Sequence, residues 1–194
     1  MFKNDKLQDY YDQEFSGITY QEELAFKTFD ECTFTDCNFS NAEFKTCKFK
    51  HCHFINCNLS LITLKSSYFV DVSFEACKIL GVNWTYAEIS LHQNLNFLKC
   101  NISQSNFLCL NLSSIKISQC SARDVDFRDC DLSKSILTAN DFQNTLFSNT
   151  NLIKADFTNS INYYIDVLAN QVKDAKFSLP EAIALLNGLG IKLS

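Results

Sequence analysis

The sequence predicts an all-β solenoid, a chain wound into stacked square coils of about 20 residues with a regular inward-facing core. Three observations predict it. Large apolar residues recur at every fifth position from residue 24 to residue 157, a small residue stands two positions before nearly all of them, and the 194 residues include only 4 Gly and 1 Pro. A domain of this size built with ordinary loops uses far more of both turn residues. The turns must therefore come from the repeat itself.

From Phe34 the centres step by five through Phe39, Phe44, Phe49, Phe54, Leu59, Leu64, Phe69, Phe74, Ile79, Trp84 and Ile89. The small slot holds residues such as Cys32, Cys37, Ala42, Cys47 and Cys52, and the other three slots are largely polar. Phe29 and Leu24 extend the frame backwards, with Lys27 in the small slot marking its beginning. A second block, displaced by three residues, runs through Phe97, Ile102, Phe107, Leu112, Ile117, Ala122, Phe127, Leu132, Leu137, Phe142, Phe147, Leu152 and Phe157. A period of five fits neither the 3.6 of a helix nor the 2 of a sustained strand. A path turning about a quarter revolution per pentapeptide aims every centre at one axis, so four pentapeptides close one coil. Stacking coils at that spacing puts Phe107, Phe127 and Phe147 in one column, Leu112, Leu132 and Leu152 in the next, and Phe34, Phe54 and Phe74 in another. Aromatic columns are favourable, and stacked coils let backbone groups pair above and below.

The period divides the chain into an N-terminal cap (1–23), the coil (24–159, with the frame slip at 90–96) and a C-terminal helix and tail (160–194). An insertion in the middle of a rod bulges outward, and such loops carry recognition; Leu91, His92, Gln93 and Asn94 form the candidate partner-binding loop. Trp84, bulky for a stacked centre, marks a local distortion just before it. Towards the end, Ser178 reads as an N-cap, Pro180 and Glu181 as a first turn and Gly188 as a C-cap, which predicts a short helix. Leu185, Leu186, Leu189, Ile191 and Leu193 are more apolar surface than a small terminal module hides, so they form the candidate dimer interface.

Nine of the ten cysteines occupy the small inward slot, Cys109 being the exception. They recur at five and its multiples rather than as CxxC pairs, which speaks against a zinc site, and they read as small buried hydrophobes. Cys37, Cys57 and Cys77 share a column, and parallel Cβ directions do not suit a disulfide. His51 and His53 flank Cys52 and point outward as surface residues. Gly-rich phosphate loops, HExxH and recognisable triads are missing, so the expectation is a non-enzymatic protein without cofactor, metal or small-molecule substrate. Charge agrees: residues 1–31 carry eight acids and three bases, whereas residues 32–157 carry eleven of each. Direct nucleic-acid binding needs a basic stripe, which this distribution does not supply. No run approaches the roughly 18 apolar residues of a membrane span, and the start lacks the apolar stretch of an export signal, so a cytoplasmic protein is expected.

Cys37-Asn38-Phe39-Ser40-Asn41, Cys130-Asp131-Leu132-Ser133-Lys134 and Ala155-Asp156-Phe157-Thr158-Asn159 resemble the A(D/N)LXX consensus of the pentapeptide-repeat family. The resemblance covers about residues 24–159 and implies that family's right-handed quadrilateral β-helix. Within the family, the total size, the Asn83-Trp84 step and the tail Leu185-Leu186-Asn187-Gly188-Leu189-Gly190-Ile191 are similar to the quinolone-resistance and microcin-immunity type. That likeness implies a homodimer formed through the C-terminal segment. It also implies a DNA-like rod that engages DNA gyrase or topoisomerase IV and protects it from quinolones or toxins. The alternative is a general interaction scaffold for another partner.

Overall fold

The computed structural model describes residues 8–88, 94–189 and 191. It is a right-handed quadrilateral β-helix in which the strand pairs of the described residues are parallel. On one side of the square, Asp9–Tyr11, Thr28–Asp30, Lys48–Lys50 and Tyr68–Val70 stack. On the next, Glu14–Ser16, Thr33–Thr35, His53–Ile55, Val72–Glu75, Leu95–Leu98 and Lys116–Ser118 form a six-stranded sheet. The remaining sides, and the later coils throughout, are joined mostly by single parallel bridges such as Asn101↔Ser121, Ser121↔Asp141 and Asp131↔Asn151.

Local chemistry explains the change from strand to bridge. Where Asn or Asp precedes the centre, its side-chain oxygen often accepts the backbone N–H two residues on: Asn38 from Ser40 at 3.1 Å, Asp131 from Ser133 at 2.9 Å and Asp156 from Thr158 at 2.9 Å. Such Asx turns compete with extended pairing. Thr, Lys or His at that position, as in Thr33, Lys48 and His53, leaves the backbone free to form a three-residue strand. Lys78 and Ile136 sit in single bridges without that bond, so the turn is not reserved for Asn and Asp.

Each corner is made by the residue two after the centre, which adopts the left-handed conformation: Glu31, Asp36, Asn41 and Thr46 have φ of 56°, 55°, 62° and 53°, and the series continues along the rod. That conformation costs an ordinary L-residue about 1–2 kcal/mol, and least for Asn and Asp, which hold many of these corners. Glycine takes two of the described corners, Gly17 (φ +65°), where an added Cβ would meet nothing, and Gly81 (φ +64°), where it would lie 2.8 Å from Leu61 Cδ2 and that side chain would have to shift. The shortage of Gly is thus met by strained corners that packing over-determines.

That packing is a continuous column structure. Phe34 stacks on Phe54 at 4.6 Å and Phe54 on Phe74 at 5.1 Å, while Phe107 and Phe127 stack at 5.1 Å and Phe127 and Phe147 at 5.7 Å between ring centroids. Leu112, Leu132 and Leu152 are buried in the column beside them. Each such ring pair contributes about 0.5–1.5 kcal/mol beyond its buried area. The small slots are more than filler: their polar atoms bond the backbone of the preceding coil. Cys57 Sγ donates to Phe34 O at 3.3 Å, Ser67 Oγ to Phe44 O at 3.0 Å and Thr150 Oγ1 to Phe127 O at 2.9 Å. Cys, Ser, Thr and Asn are interchangeable there because each supplies a small donor.

The pairing carries the coil past both of the boundaries expected at 24 and 159. Asp9–Tyr11 pairs with Thr28–Asp30, and Tyr10, Phe15 and Tyr20 are buried as centres. The first coil has only 19 residues, because Tyr20 and Leu24 are four apart, and this short step hid it from a search at five. At the other end Asp156 bridges Lys176, and Phe177 stacks on Phe157 at 5.1 Å. Mid-rod, Tyr68 bridges Glu88 twenty residues on, whereas Val72 pairs with Leu95 twenty-three residues on. Three additional residues therefore lie between Glu88 and Leu95. Leu95 and Asn96 belong to the strand Leu95–Leu98 rather than to the insertion.

The predicted C-terminal helix needs correction in kind. Glu181–Leu189 is a 3-10 helix with no buried residue, and Gly188 lies inside it rather than capping it. A Cβ at Gly188 would stand 2.7 Å from Asp166 Oδ1, so a larger residue there would displace the Asp166 side chain. No helix among the described residues is long and apolar enough to cross a membrane.

Candidate functional site

Regular coils give a convex rod, so function falls to departures from regularity. The first departure surrounds the insertion. Trp84 enters the core column, stacking on Phe107 at 5.6 Å and meeting Phe69, Phe74 and Phe97 edge-on. Trp84–Tyr86 forms a 3-10 turn capped by Asn83, whose Oδ1 accepts Thr85 N at 3.1 Å, the same Asx bond that replaces extended pairing elsewhere in the rod. This turn leaves Tyr86 62% exposed at the corner.

Of the candidate loop, Leu91, His92 and Gln93 lie outside the described residues. Asn94 is exposed, and its Nδ2 donates to Asp71 Oδ1 at 2.6 Å. Beside it lies an open groove of about 340 Å³, lined by Asp71, Ser73, Asn94, Asn96, Ser114 and Lys116 together with Val72 and Leu95. The groove mixes polar and apolar lining, carries both signs of charge and is open, which suits recognition of a partner's side chains better than enclosure of an apolar ligand.

His51 and His53 point outward, but both are engaged. His53 Nδ1 is 2.6 Å from Ser73 Oγ, and His51 lies between Asp30 and Asp71. Sequence stacking places Glu31, His51 and Asp71 at 20-residue spacing on one corner, but the residue that pairs with His51 from the preceding coil is Asp30.

The second departure is the C-terminal end. Leu185 packs partly against the core cluster and so serves the chain's own end, while Leu186 is half-buried. Leu189 and Ile191 are exposed, and Leu193 lies outside the described residues. Tyr164, Leu168, Leu179 and Ile183 are also exposed in this part of the chain, Leu168 being 75% and Leu179 78% exposed. Tyr164 and Leu168 came from irregular sequence that gave no period by which to assign their direction.

The nine inward cysteines are buried and Cys109 is exposed. Burial pushes the Cys47 thiol up to about 11 and those of Cys52 and Cys130 up to about 12. Cys120 is instead held below the ordinary thiol value by its bond with Cys100, but all nine inward thiols are buried, so iodoacetamide at mildly alkaline pH should label the native protein once, at Cys109, and label all ten cysteines after denaturation. Mass spectrometry of the native adduct distinguishes this from a reactive ladder. Among the described residues no group of His, Cys, Asp and Glu is arranged to hold a metal.

Comparison with known proteins gives the fold a context. The family profile for a pentapeptide repeat region matches residues 27–107, and that for pentapeptide repeats in eight copies matches residues 126–161. Two trypsin-treated variants of QnrB1, a plasmid-mediated fluoroquinolone resistance protein, superpose on nearly the whole chain. One is 19% identical with a TM-score of 0.74, covering 95% of this chain and 99% of that one. The other is 18% identical with a TM-score of 0.63, covering 96% and 100%. HetL, a pentapeptide repeat protein involved in heterocyst differentiation regulation in the cyanobacterium Nostoc, is 12% identical with a TM-score of 0.51, covering 87% and 86%. No curated protein matches the sequence. At such identities the likeness shows the fold.

Proposed function

This chain belongs to the pentapeptide-repeat family, and on that premise we propose that it is a non-enzymatic, DNA-mimic-like cytoplasmic protein that binds DNA gyrase or topoisomerase IV. In this reading it protects the enzyme from quinolones or from topoisomerase-directed toxins. The observation that carries the reading is the superposition of 95% of the chain on a fluoroquinolone resistance protein. The insertion before Leu95 is the proposed contact with the topoisomerase, and the apolar C-terminal end is the proposed homodimer interface.

A supercoiling assay tests this directly. Titrating the protein into gyrase inhibited by a fluoroquinolone should restore supercoiling, and the protein should be retained by immobilised gyrase. Failure of both across the titration rejects the topoisomerase reading. For the dimer, Leu186→Asp combined with Ile191→Asp should give a monomer in sedimentation that keeps its β-type circular dichroism. An unchanged dimer removes the tail from the interface.

One observation favours the scaffold alternative: residues 32–157 balance in charge, whereas mimicry of DNA calls for an acidic rod. Affinity capture that recovers one partner reproducibly, and no topoisomerase, would establish that alternative.

A further inference from the structure

Side chains from four successive coils meet at one corner of the rod, and the last of them anchors the chain where it returns from the insertion. His51 occupies the corner in the left-handed conformation, φ 50°. Its Nδ1 lies 2.9 Å from Asp30 Oδ1 in the coil on one side, and its Nε2 lies 3.6 Å from Asp71 Oδ2 in the coil on the other. The second oxygen of Asp71 accepts Asn94 Nδ2 at 2.6 Å. Asn94 immediately precedes the strand Leu95–Leu98, whose pairing with Val72–Glu75 restarts the coil after the three additional residues.

We propose that His51 is a pH-sensitive clamp that, when protonated, ties the coils of Asp30 and Asp71 together and, through Asp71 and Asn94, fixes the re-entry of the chain into the rod after the insertion. The reasoning is one of donor count. An imidazolium presents N–H groups to both carboxylates, whereas neutral imidazole has a single N–H and turns a lone pair towards one of them. Loss of the proton therefore releases one side, and the longer contact, to Asp71, is the one that gives way.

The charged surroundings are one-sided. Asp30 and Glu31 face His51 from the preceding coil and Asp71 from the following one, while Lys50, its chain neighbour, lies in register with Asp30. The hydrogen bond with Asp30, aided by the charge of Asp30, Asp71 and Glu31, raises the His51 pKa above its ordinary 6.5. A raised value means that the clamp is fully present below the unfolded-state pKa and is lost as pH rises through the folded-state pKa. The device is therefore tight in acid and slack in mild alkali, within the range where histidine alone among unperturbed side chains titrates.

Histidine- and asparagine-selective NMR on the full chain, from about pH 5 to about pH 9, tests the proposal. His51 should titrate above 6.5, and the Asn94 side-chain amide should shift with the same midpoint. Amide exchange at Leu95, corrected for its intrinsic pH dependence, should quicken about two- to fivefold on passing through that midpoint, the scale of a partly exposed ion pair. Asp71→Asn should lower the His51 midpoint and uncouple Asn94 from it. His51→Gln should leave Asn94 insensitive to pH, with circular dichroism showing both variants folded. The proposal is overturned if Asn94 does not follow the His51 titration, or if Asp71→Asn leaves the His51 midpoint where it was. None of these readouts involves a topoisomerase, so they stand apart from the functional reading.

Discussion

Trp84→Ala is expected to lower the free energy of unfolding by about 3–5 kcal/mol, the range for removing a large aromatic from a packed core. Trp84 is 1% exposed and touches the rings of Phe69, Phe74, Phe97 and Phe107, so its loss opens a cavity at the level where two blocks of coils join across the insertion. Coils contact only their neighbours, so such a cavity weakens the coupling between the two blocks as well as the local packing. Trp84→Phe behaves differently. The indole Nε1 is buried without a hydrogen-bond partner among the described residues, so phenylalanine removes an unsatisfied donor and keeps the column stacked. Its cost should stay below about 1.5 kcal/mol. Urea unfolding followed by circular dichroism compares the two variants. Equal destabilisation would mean that the ring column does not carry the junction.

Asn140→Ala should cost about 2–4 kcal/mol, because it strands two backbone groups in the core. Asn140 is 1% exposed; its Oδ1 accepts Cys120 N at 2.8 Å and its Nδ2 donates to Ile117 O at 2.7 Å. Alanine can do neither. Asn140→Ser should recover most of the loss, because serine already performs this role one coil on, where Ser160 Oγ accepts Asn140 N at 3.0 Å and donates to Leu137 O at 2.6 Å. The same unfolding experiment decides. If alanine and serine are equally damaging, the slot is selected for volume rather than for hydrogen bonding.

These two residues also show where sequence reading reaches its end. Trp84 could be recognised as out of place in its column, but its stacking on Phe107 and its edge-on contacts with Phe69, Phe74 and Phe97 come from the winding of the coils. Asn140 could be placed in the inward slot by counting, but its two partners come from a neighbouring coil and depend on the stacking distance. His51 could be placed outside by the same counting. Its contact with Asp71 is a relation between coils that no local window contains.

The five-residue period determined the solenoid, its columns and the burial of nine cysteines, because a strict period projects every centre to one axis whatever the side chains between. It determined less wherever the count broke. The four-residue step between Tyr20 and Leu24, and the irregular stretch after Ser160, disguised coils that interstrand pairing makes plain. Only the tertiary structure decided that Leu185 turns inward while Leu189 and Ile191 stay exposed, that the last helix is 3-10, and that Asp30, His51, Asp71 and Asn94 share one corner. The physical reason is that a period fixes direction relative to the axis, whereas ends, insertions and corner contacts depend on which coil lies above and below.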